Sequence, residues 1–301
     1  GFAGPAYRVI SWKEWKDEAQ RKGIWEKVSR EVGMPCVVKP ANQGSSVGVS
    51  RVEKDDPDAF VRAVSKAFFC YEMEAGEWNG MDAAARVAFI RKMTDIREGL
   101  GFPLHIAKTG ERVQHPDQLE QKLDDHFKSY PGEHAVMMAC EAESEVIVEA
   151  FLEGREFSCI VVQDENGLPV ALPPTEIRKG AELYDYRSKY LPGLSRKITP
   201  IDLPEKDIQS IRAECERLFK AFRFNVYARI DGFISGKGKI SLNDPNTTSG
   251  MLPSSFFFHQ AAEIGLNPSQ FLTYIIRTSL SERAKDFRDL TVLPSRLAEL
   301  D

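Results

Sequence analysis

Residues 229 to 251 place two acids where an ordinary β-hairpin would reject them. The stretch has two β-type runs around Gly236, Lys237, Gly238 and Lys239, a composition suited to a two-residue hairpin loop. With Lys237 and Gly238 as the loop, Gly236 faces Lys239. Counting outward then sets Asp231 against Asp244 and Arg229 against Asn246. Side chains alternate along a strand, so all four share one face. Opposed carboxylates repel each other, and such a hairpin is unfavourable unless a cation sits between them. Two carboxylates and an amide oxygen form an oxygen-only ligand set of the kind Mg²⁺ takes when it is shared with phosphates. The competing reading is a plain surface hairpin, because a one-residue slip in register dissolves the pattern.

The rest of the chain sets outer bounds. Its 301 residues can bury one large core or two ordinary ones. The 45 acids outnumber the 40 bases, giving a net charge of −5, and the bases are dispersed. That disfavours a nucleic-acid surface. No apolar run reaches membrane-spanning length. The cysteines (Cys36, Cys70, Cys140, Cys159, Cys215) show no metal-ligand spacing and sit mostly inside apolar runs. They are expected to be buried free thiols in a reducing, cytoplasmic setting. The histidines are equally scattered, and no hydrolase triad signature is present. The start, Gly1 to Pro5, has neither an initiator Met nor a signal-peptide pattern. An excised piece of a longer chain is the expectation, with Gly1 as a cloning scar.

Periodicity predicts a strand at 7–10, a helix at 12–32 and a strand at 35–39, followed by a glycine-and-serine turn and a helix at 57–69. Residues 71–140 change character: a helix over 81–100, a short apolar stretch, then a polar segment to His134. We read this as an insertion, because regular strands resume at Ser144. Val146 to Phe151 and Glu156 to Val162 are expected to form a hairpin around Gly154, with a further strand at 169–177. Residues 204–222 carry an amphipathic stripe of Ile208, Ile211, Cys215, Leu218, Phe219 and Phe222. Helices are also expected at 254–264 and from Pro268. Strand runs mixed with helices indicate an α+β architecture.

Three further constellations carry chemistry. Lys39 ends a strand that feeds into Gly44, Ser45, Ser46, Val47 and Gly48. Backbone N–H groups, hydroxyls and a lysine together can cradle a phosphate, although no Walker pattern follows. Glu149 and Glu156 sit in apolar strands, where a carboxylate needs hydrogen-bond donors such as those of a nucleoside. Lys189 and Tyr190 follow Tyr184, Asp185, Tyr186 and Arg187 in a loop that could close over a ligand.

Taken in order, these motifs resemble the ATP-grasp enzymes, and among them the D-alanine–D-alanine ligases. The resemblance rests on Val37 to Pro40 with Gly44 to Gly48, on Val148 to Phe157, on Tyr184 to Tyr190, on Arg229 to Asp231, and on Asp244 to Met251. It covers about residues 5–69 and 141–280. It implies an ATP-grasp fold of two α+β subdomains with the nucleotide between them: residues 1–150, which contain the phosphate loop and the insertion, and residues 151–301, which contain the Mg²⁺ site and substrate loop.

The resemblance also implies roles. Lys39 would contact the phosphates, under a flexible loop containing Ser45 and Ser46. Glu149 would lie near the adenine with the backbone of Phe151 and Leu152, and Glu156 would take the ribose hydroxyls. Lys189 would reach the γ-phosphate and Tyr190 would help close the site. Asp231, Asp244 and Asn246 would hold Mg²⁺, or Mn²⁺ in its place. Arg229 and the Gly250 N–H would stabilise the anionic intermediate, and Ser255 would bind the carboxylate of the accepting amino acid. The implied reaction joins a carboxylate, activated as an acyl phosphate by ATP, to an amine; D-alanine is the expected substrate and peptidoglycan precursor synthesis the expected role.

Three departures from the family pattern matter. Asp244 stands where the family usually has Glu, and Thr248, Ser249, Gly250 and Met251 stand where it has Ser-Pro-Gly-Met. The family's N-terminal domain would precede Gly1, so a domain or partner chain supplying it is expected, and a homodimer is left open. The competing readings are an ATP-grasp ligase for another carboxylate and amine, and a nucleotide-binding module that does not catalyse. Retention of Lys39, Glu149, Lys189, Arg229, Asp231, Asp244 and Asn246 favours the enzyme, since unpaired buried charge is destabilising.

Overall fold

A computed structural model describes residues 1–179 and 195–285. Within these residues the chain forms two compact units, one of residues 6–151 and the other of residues 1–5, 152–179 and 195–285.

The first unit runs β1 (Tyr7–Ser11), α1 (Trp12–Trp15), α2 (Glu18–Glu31), β2 (Cys36–Pro40), β3 (Ser50–Val52) and α3 (Pro57–Ala67). It continues through β4 (Cys70–Met73), α4 (Ala75–Gly80), α5 (Ala83–Thr94), β5 (Leu104–Ile106), β6 (Glu111–Val113), α6 (Pro116–Ser129), β7 (Ala135–Ala139) and β8 (Glu145–Ala150). One antiparallel sheet has the order β1-β8-β2-β3. Cys36, Val38, Val146 and Val148 point inward and pack with Trp15, Ile24, Trp25, Val28, Phe60 and Phe68 from the helical segments. Full burial of each such side chain contributes roughly 1.5–3 kcal/mol. The opposite face carries Val37, Lys39 and Glu149, as strand alternation requires.

The single helix expected over 12–32 is instead two. Ser11 caps α1 in a reciprocal box with Glu14, and the Asp17 carboxylate accepts the Ala19 N–H at 3.1 Å to start α2. Two consecutive caps outweigh a continuous apolar stripe.

The insertion builds a second sheet, in the order β4-β7-β5-β6. Its own core contains Met73, Trp78, Phe89, Met93, Leu104, Leu123 and Met137. The segment expected to be irregular up to His134 includes α6, whose buried Leu119, Leu123, His126 and Phe127 have helical spacing.

The second unit holds β9 (Arg155–Gln163), β10 (Pro169–Ala171), β11 (Thr175–Lys179), β12 (Ser195–Ile198), α7 (Glu205–Ala221), β13 (Tyr227–Ile234), β14 (Ile240–Asn246), α8 (Phe256–Glu263) and α9 (Pro268–Lys285). Its sheet order is β12-β11-β9-β13-β14, with β10 also on β9. β9 is covered on both faces. Phe157, Cys159 and Val161 pack with Ile211, Cys215 and Phe219 of α7, whereas Ile160 and Val162 pack with Phe257, Ala261, Phe271 and Ile275 of α8 and α9. A strand buried twice reads as a nearly unbroken apolar run.

β8 and β9 do not form the hairpin expected around Gly154. β8 pairs with β1 and β2, and β9 with β10, β11 and β13. Each strand's flanks are already filled, so the intervening chain leaves one sheet and enters another. Gly154 makes this passage at φ +137°, where an added Cβ would lie 2.5 Å from the Ile234 carbonyl oxygen. Residues 169–177 likewise contain parts of two strands rather than one.

Among the described residues no helix is long and apolar enough to cross a membrane. All five cysteines are free, and all but Cys140 are buried.

Candidate functional site

The register of β13 and β14 sets Asp231 opposite Asp244 and Arg229 opposite Asn246. The route to that register differs from the sequence expectation. The loop is three residues, Gly236 to Gly238: the Ser235 N–H donates to Lys239 O at 3.0 Å, and Gly238 N–H donates to Ser235 O at 2.9 Å with Gly238 at φ +75°. This shifts the pairs nearest the loop, such as Ile234 with Ile240. A bulge between the Gly232–Leu242 and Asp231–Asp244 pairs then leaves Asn243 unpaired and restores the acid-on-acid alignment.

The site face of this sheet can be read across the strands. Directly paired residues share a face, so Thr175, Ser158, Asp231 and Asp244 form one row. Lys197, Ile177, Glu156 and Phe233 form the next. Arg229 grips Asp231 with two hydrogen bonds, Nε to Oδ1 at 3.1 Å and Nη2 to Oδ2 at 3.0 Å, and its Nη1 donates to Ser249 Oγ at 3.0 Å. Ser158 donates to Asp231 Oδ1 at 2.7 Å. Burial pushes the Asp231 pKa up, the Arg229 charge and the Ser158 hydrogen bond pull it down, and the facing Asp244 pushes it up again; the outcome is a raised value. Ionised Asp231 is therefore under-compensated even with its arginine.

Asp244 is exposed and has no ion-pair partner among the described residues. Asn246 spends its amide N–H on the Asp244 carbonyl at 2.9 Å, which leaves its side-chain oxygen available. Two carboxylates and one amide oxygen on neighbouring positions fit a hard divalent cation such as Mg²⁺. Another cluster of ligand-type groups, Glu18, Glu72 and His134, lies in the first unit. There Arg21 already binds Glu72 through both guanidinium nitrogens, at 2.9 and 2.5 Å.

Ser255 precedes α8 in the N-cap position, yet its hydroxyl bonds none of the helix's first amides. The Oγ is buried without a hydrogen-bond partner, so a donor and acceptor is available to a ligand. Gly250 is exposed, and the space beside its Cα is open.

In the first unit, Lys39 Nζ lies 2.8 Å from Glu149 Oε1, on the sheet face turned away from the core. Phe151 carries Arg51 over its ring at 3.8 Å. The glycine-and-serine turn has two consecutive non-glycine residues in the left-handed region, Ser45 at φ 55° and Ser46 at φ 60°. Such conformations cost of order 1 kcal/mol or more each and cluster at ligand clamps. At the base of the turn, Glu143 receives both the Asn42 backbone N–H and its side-chain N–H. An open cleft of about 400 Å³ beside Gln43 is lined by Phe69, Ile96, Phe102, Arg112 and Cys140.

The structure thus brings together Arg229, Asp231, Asp244 and Asn246 in one unit and Lys39 with Glu149 in the other. Glu156 lies on β9 in the same unit as Asp231, and Leu152 begins the second segment of that unit. Lys189 and Tyr190 lie outside the described residues. Sequence reasoning missed Ser158, Lys197, Ser249 and Gln260. Buried Gln260 accepts from Ile160 N–H at 2.9 Å and donates to Ser158 O at 2.8 Å and Thr175 Oγ1 at 3.0 Å, tying α8 to β9. The available signals were polar residues inside otherwise apolar stretches, Ser158 in β9 and Gln260 in α8.

The family model described as D-ala D-ala ligase C-terminus matches residues 1–72 and 130–277, so the match is interrupted across most of the insertion. D-alanine–D-alanine ligase B of Clostridium perfringens is 32% identical over 162 residues, 53% of this chain and 52% of that protein. The D-alanine–D-alanine ligase of Halothermothrix orenii is 27% identical over 261 residues, 87% of this chain and 54% of that protein. The chain spans about half the length of these curated relatives. Among solved structures, the VanG D-Ala:D-Ser ligase of Enterococcus faecalis superposes with a TM-score of 0.57 at 19% identity, over 92% of this chain and 57% of that one. That likeness establishes the fold, which is ATP-grasp. With the family model matched over more than half of its residues, the chain belongs to the D-Ala–D-Ala ligase C-terminal family.

Proposed function

We propose that this chain is the ATP-binding, catalytic portion of an ATP-dependent carboxylate–amine ligase of the cytoplasm, with D-alanine as substrate and D-alanyl-D-alanine as product. The observation that carries the reading is the opposition of Asp231 and Asp244, flanked by Arg229 and Asn246, on one sheet face. No packing role calls for that arrangement, and Mg²⁺ with polyphosphate answers it.

Mg²⁺ held by Asp231, Asp244 and Asn246 would neutralise phosphate charge. Arg229, oriented by Asp231 and Ser249, presents a fixed guanidinium to the anion formed when the substrate carboxylate attacks the γ-phosphate. Lys39 exchanges its Glu149 partner for phosphate oxygens, which releases Glu149 to accept from the nucleoside. Ser45 and Ser46 cover the phosphates, Glu156 takes the ribose hydroxyls, and the backbone of Phe151 and Leu152 lies along the base. Lys189 and Tyr190 close the site. Gly250 N–H faces the intermediate, and the free Ser255 hydroxyl takes the acceptor carboxylate. Protein groups position and neutralise; the substrate amine then displaces phosphate.

The test is calorimetric titration with ATP, with and without Mg²⁺, followed by mass spectrometry after incubation with Mg-ATP and D-amino acids. Mg²⁺-dependent ATP binding, and D-alanyl-D-alanine with matching ADP, are the expected results. Absence of Mg²⁺-dependent ATP binding overturns the reading.

A further inference from the structure

Gln260 is a fully buried amide in a mostly apolar helix. α8 covers the face of β9 that carries Ile160 and Val162, which pack with Phe257 and Ala261. Ser158 shares that face by strand alternation. Apolar packing stops and the site begins at this residue, because Ser158 pairs with Asp231 in the row that leads to Asp244. Gln260 stands at the border.

The reason for an amide there lies in the neighbouring chain. β11 stays paired with β9 as far as Ser158, and β10 takes over at Val161. Between them run Leu172, Pro173 and Pro174. Leu172 N–H reaches Ile160 O at 2.8 Å, but the prolines have no N–H and interrupt the ladder. The Gln260 side chain takes the place of a rung. Its Oε1 accepts from Ile160 N–H at 2.9 Å, and its Nε2 donates to Ser158 O at 2.8 Å and to Thr175 Oγ1 at 3.0 Å. Thr175 is held in turn by Thr199, hydroxyl to hydroxyl at 2.7 Å. The carbonyl oxygen and both hydrogens of the amide are thereby engaged.

This lock on the backbone fixes the Ser158 hydroxyl. Ser158 Oγ donates to Asp231 Oδ1 at 2.7 Å, and Arg229 Nε donates to the same oxygen at 3.1 Å. A carboxylate offers about two lone-pair sites on each oxygen, so Oδ1 is full. Among the described residues Oδ2 receives only Arg229 Nη2, at 3.0 Å, and keeps room for a cation. Ser158 therefore decides which oxygen of Asp231 stays open.

We propose that Gln260, acting through Ser158, is a positioning residue for the divalent cation: it holds β9 where Ser158 must grip Asp231 Oδ1, and so leaves Oδ2 for the metal. This rests on the reading of Asp231, Asp244 and Asn246 as cation ligands.

The test is the affinity of the full chain for Mn²⁺, read by electron paramagnetic resonance in the presence of a non-hydrolysable ATP analogue. Gln260→Met, similar in volume, is expected to weaken Mn²⁺ binding by about tenfold or more, as loss of an outer partner of a metal ligand does. Ser158→Ala should match it, and Ser158→Thr should retain most of the affinity. The double variant should bind about as well as the weaker single one, because both changes act along one path. Phe271→Leu, an apolar change in the same cluster, should lower the unfolding midpoint yet leave Mn²⁺ affinity within about threefold of wild type. A Gln260→Met protein that is less stable but binds Mn²⁺ like wild type overturns the proposal and makes Gln260 a core amide only. If that variant does not fold, Ser158→Ala decides, and unchanged Mn²⁺ affinity there overturns the proposal equally. No Mn²⁺ bound by wild type overturns the cation reading itself, and this proposal with it.

Discussion

The β13–β14 hairpin and the inserted module of residues 70–139 are both small antiparallel assemblies, but they satisfy their polar groups in opposite ways. In the module, several charges pair with one another, and Glu72 pairs with Arg21 of α2. Asp124 accepts from Trp78 Nε1 at 2.7 Å and pairs with Arg86 at 3.2 Å, while Arg86 lies over the Trp78 ring. Lys108 pairs with Glu133 and Lys122 with Glu111. In the hairpin, Asp231 faces Asp244 and burial raises the Asp231 pKa despite Arg229. A region that balances its own charges announces only its fold. A region left with a deficit announces a ligand, because the missing charge must come from outside.

Replacing one acid is the sharpest way to break this contrast. Asp231→Asn should lower Mg²⁺-dependent turnover or ATP binding by at least about 100-fold while circular dichroism and the unfolding midpoint stay near wild type. Unchanged metal dependence would show that the hairpin's deficit has no ligand. Next comes the packing that holds the acids in place. A Cβ at Gly232 would lie 2.7 Å from Phe157 Cζ and 2.8 Å from the Ser241 carbonyl oxygen. Gly232→Ala is therefore expected to cost about 2–3 kcal/mol in chemical denaturation, more than an alanine introduced at open Gly76.

A compensated charge in the same sheet offers a control. Burial pushes Glu176 up, but hydrogen bonds from Arg155 and Arg178 outweigh it and leave the pKa lowered. With the folded value below the unfolded one, the pair stabilises the fold above the ordinary glutamate value of about 4.3, and that share is lost as pH falls through the lower folded value. Because both arginines are partly exposed, Glu176→Gln should cost only about 1–2 kcal/mol near neutrality. The difference between variant and wild type should shrink on acidification; a difference that grows would contradict the assignment. The smallest effect is expected from the module itself. Met73 pairs with Ala135, so replacing residues 74–134 by an Asn-Gly turn can rejoin β4 to β7 in register. ATP affinity should change by less than about threefold; global unfolding would show that the module completes the core of its unit.

How much of this could be read from the chain follows the same division. The Asp231–Asp244 and Arg229–Asn246 pairs were visible because alternation and a turn signal fix relative positions locally. The three-residue loop and the bulge at Asn243 were not, since two one-residue irregularities cancel at the acids. Cys36 to Pro40, the α7 stripe and α8 followed from period and capping. The passage from β8 to β9 looked like a hairpin because a glycine between two strand-like runs carries no record of which partners already flank each strand. Lys197 was invisible for another reason: its contacts are with Ser254 and Phe256, more than fifty residues away. Gln260 was hidden inside an apolar helix, where only the gap between the β11 and β10 pairings of β9, at Ser158 and Ile160, explains a buried amide.

The distribution of thiols in this fold has a practical side. Burial pushes Cys36 up to about 11 and Cys70 up to about 12, so neither is a nucleophile at neutral pH. Cys159 and Cys215 are enclosed within the core beside α7. That leaves Cys140, exposed in the cleft beside Gln43 and close in sequence to Glu143, which anchors the glycine-and-serine turn. A maleimide fluorophore would therefore attach at one address in the unmodified chain, and its emission would follow that turn in real time as nucleotide arrives.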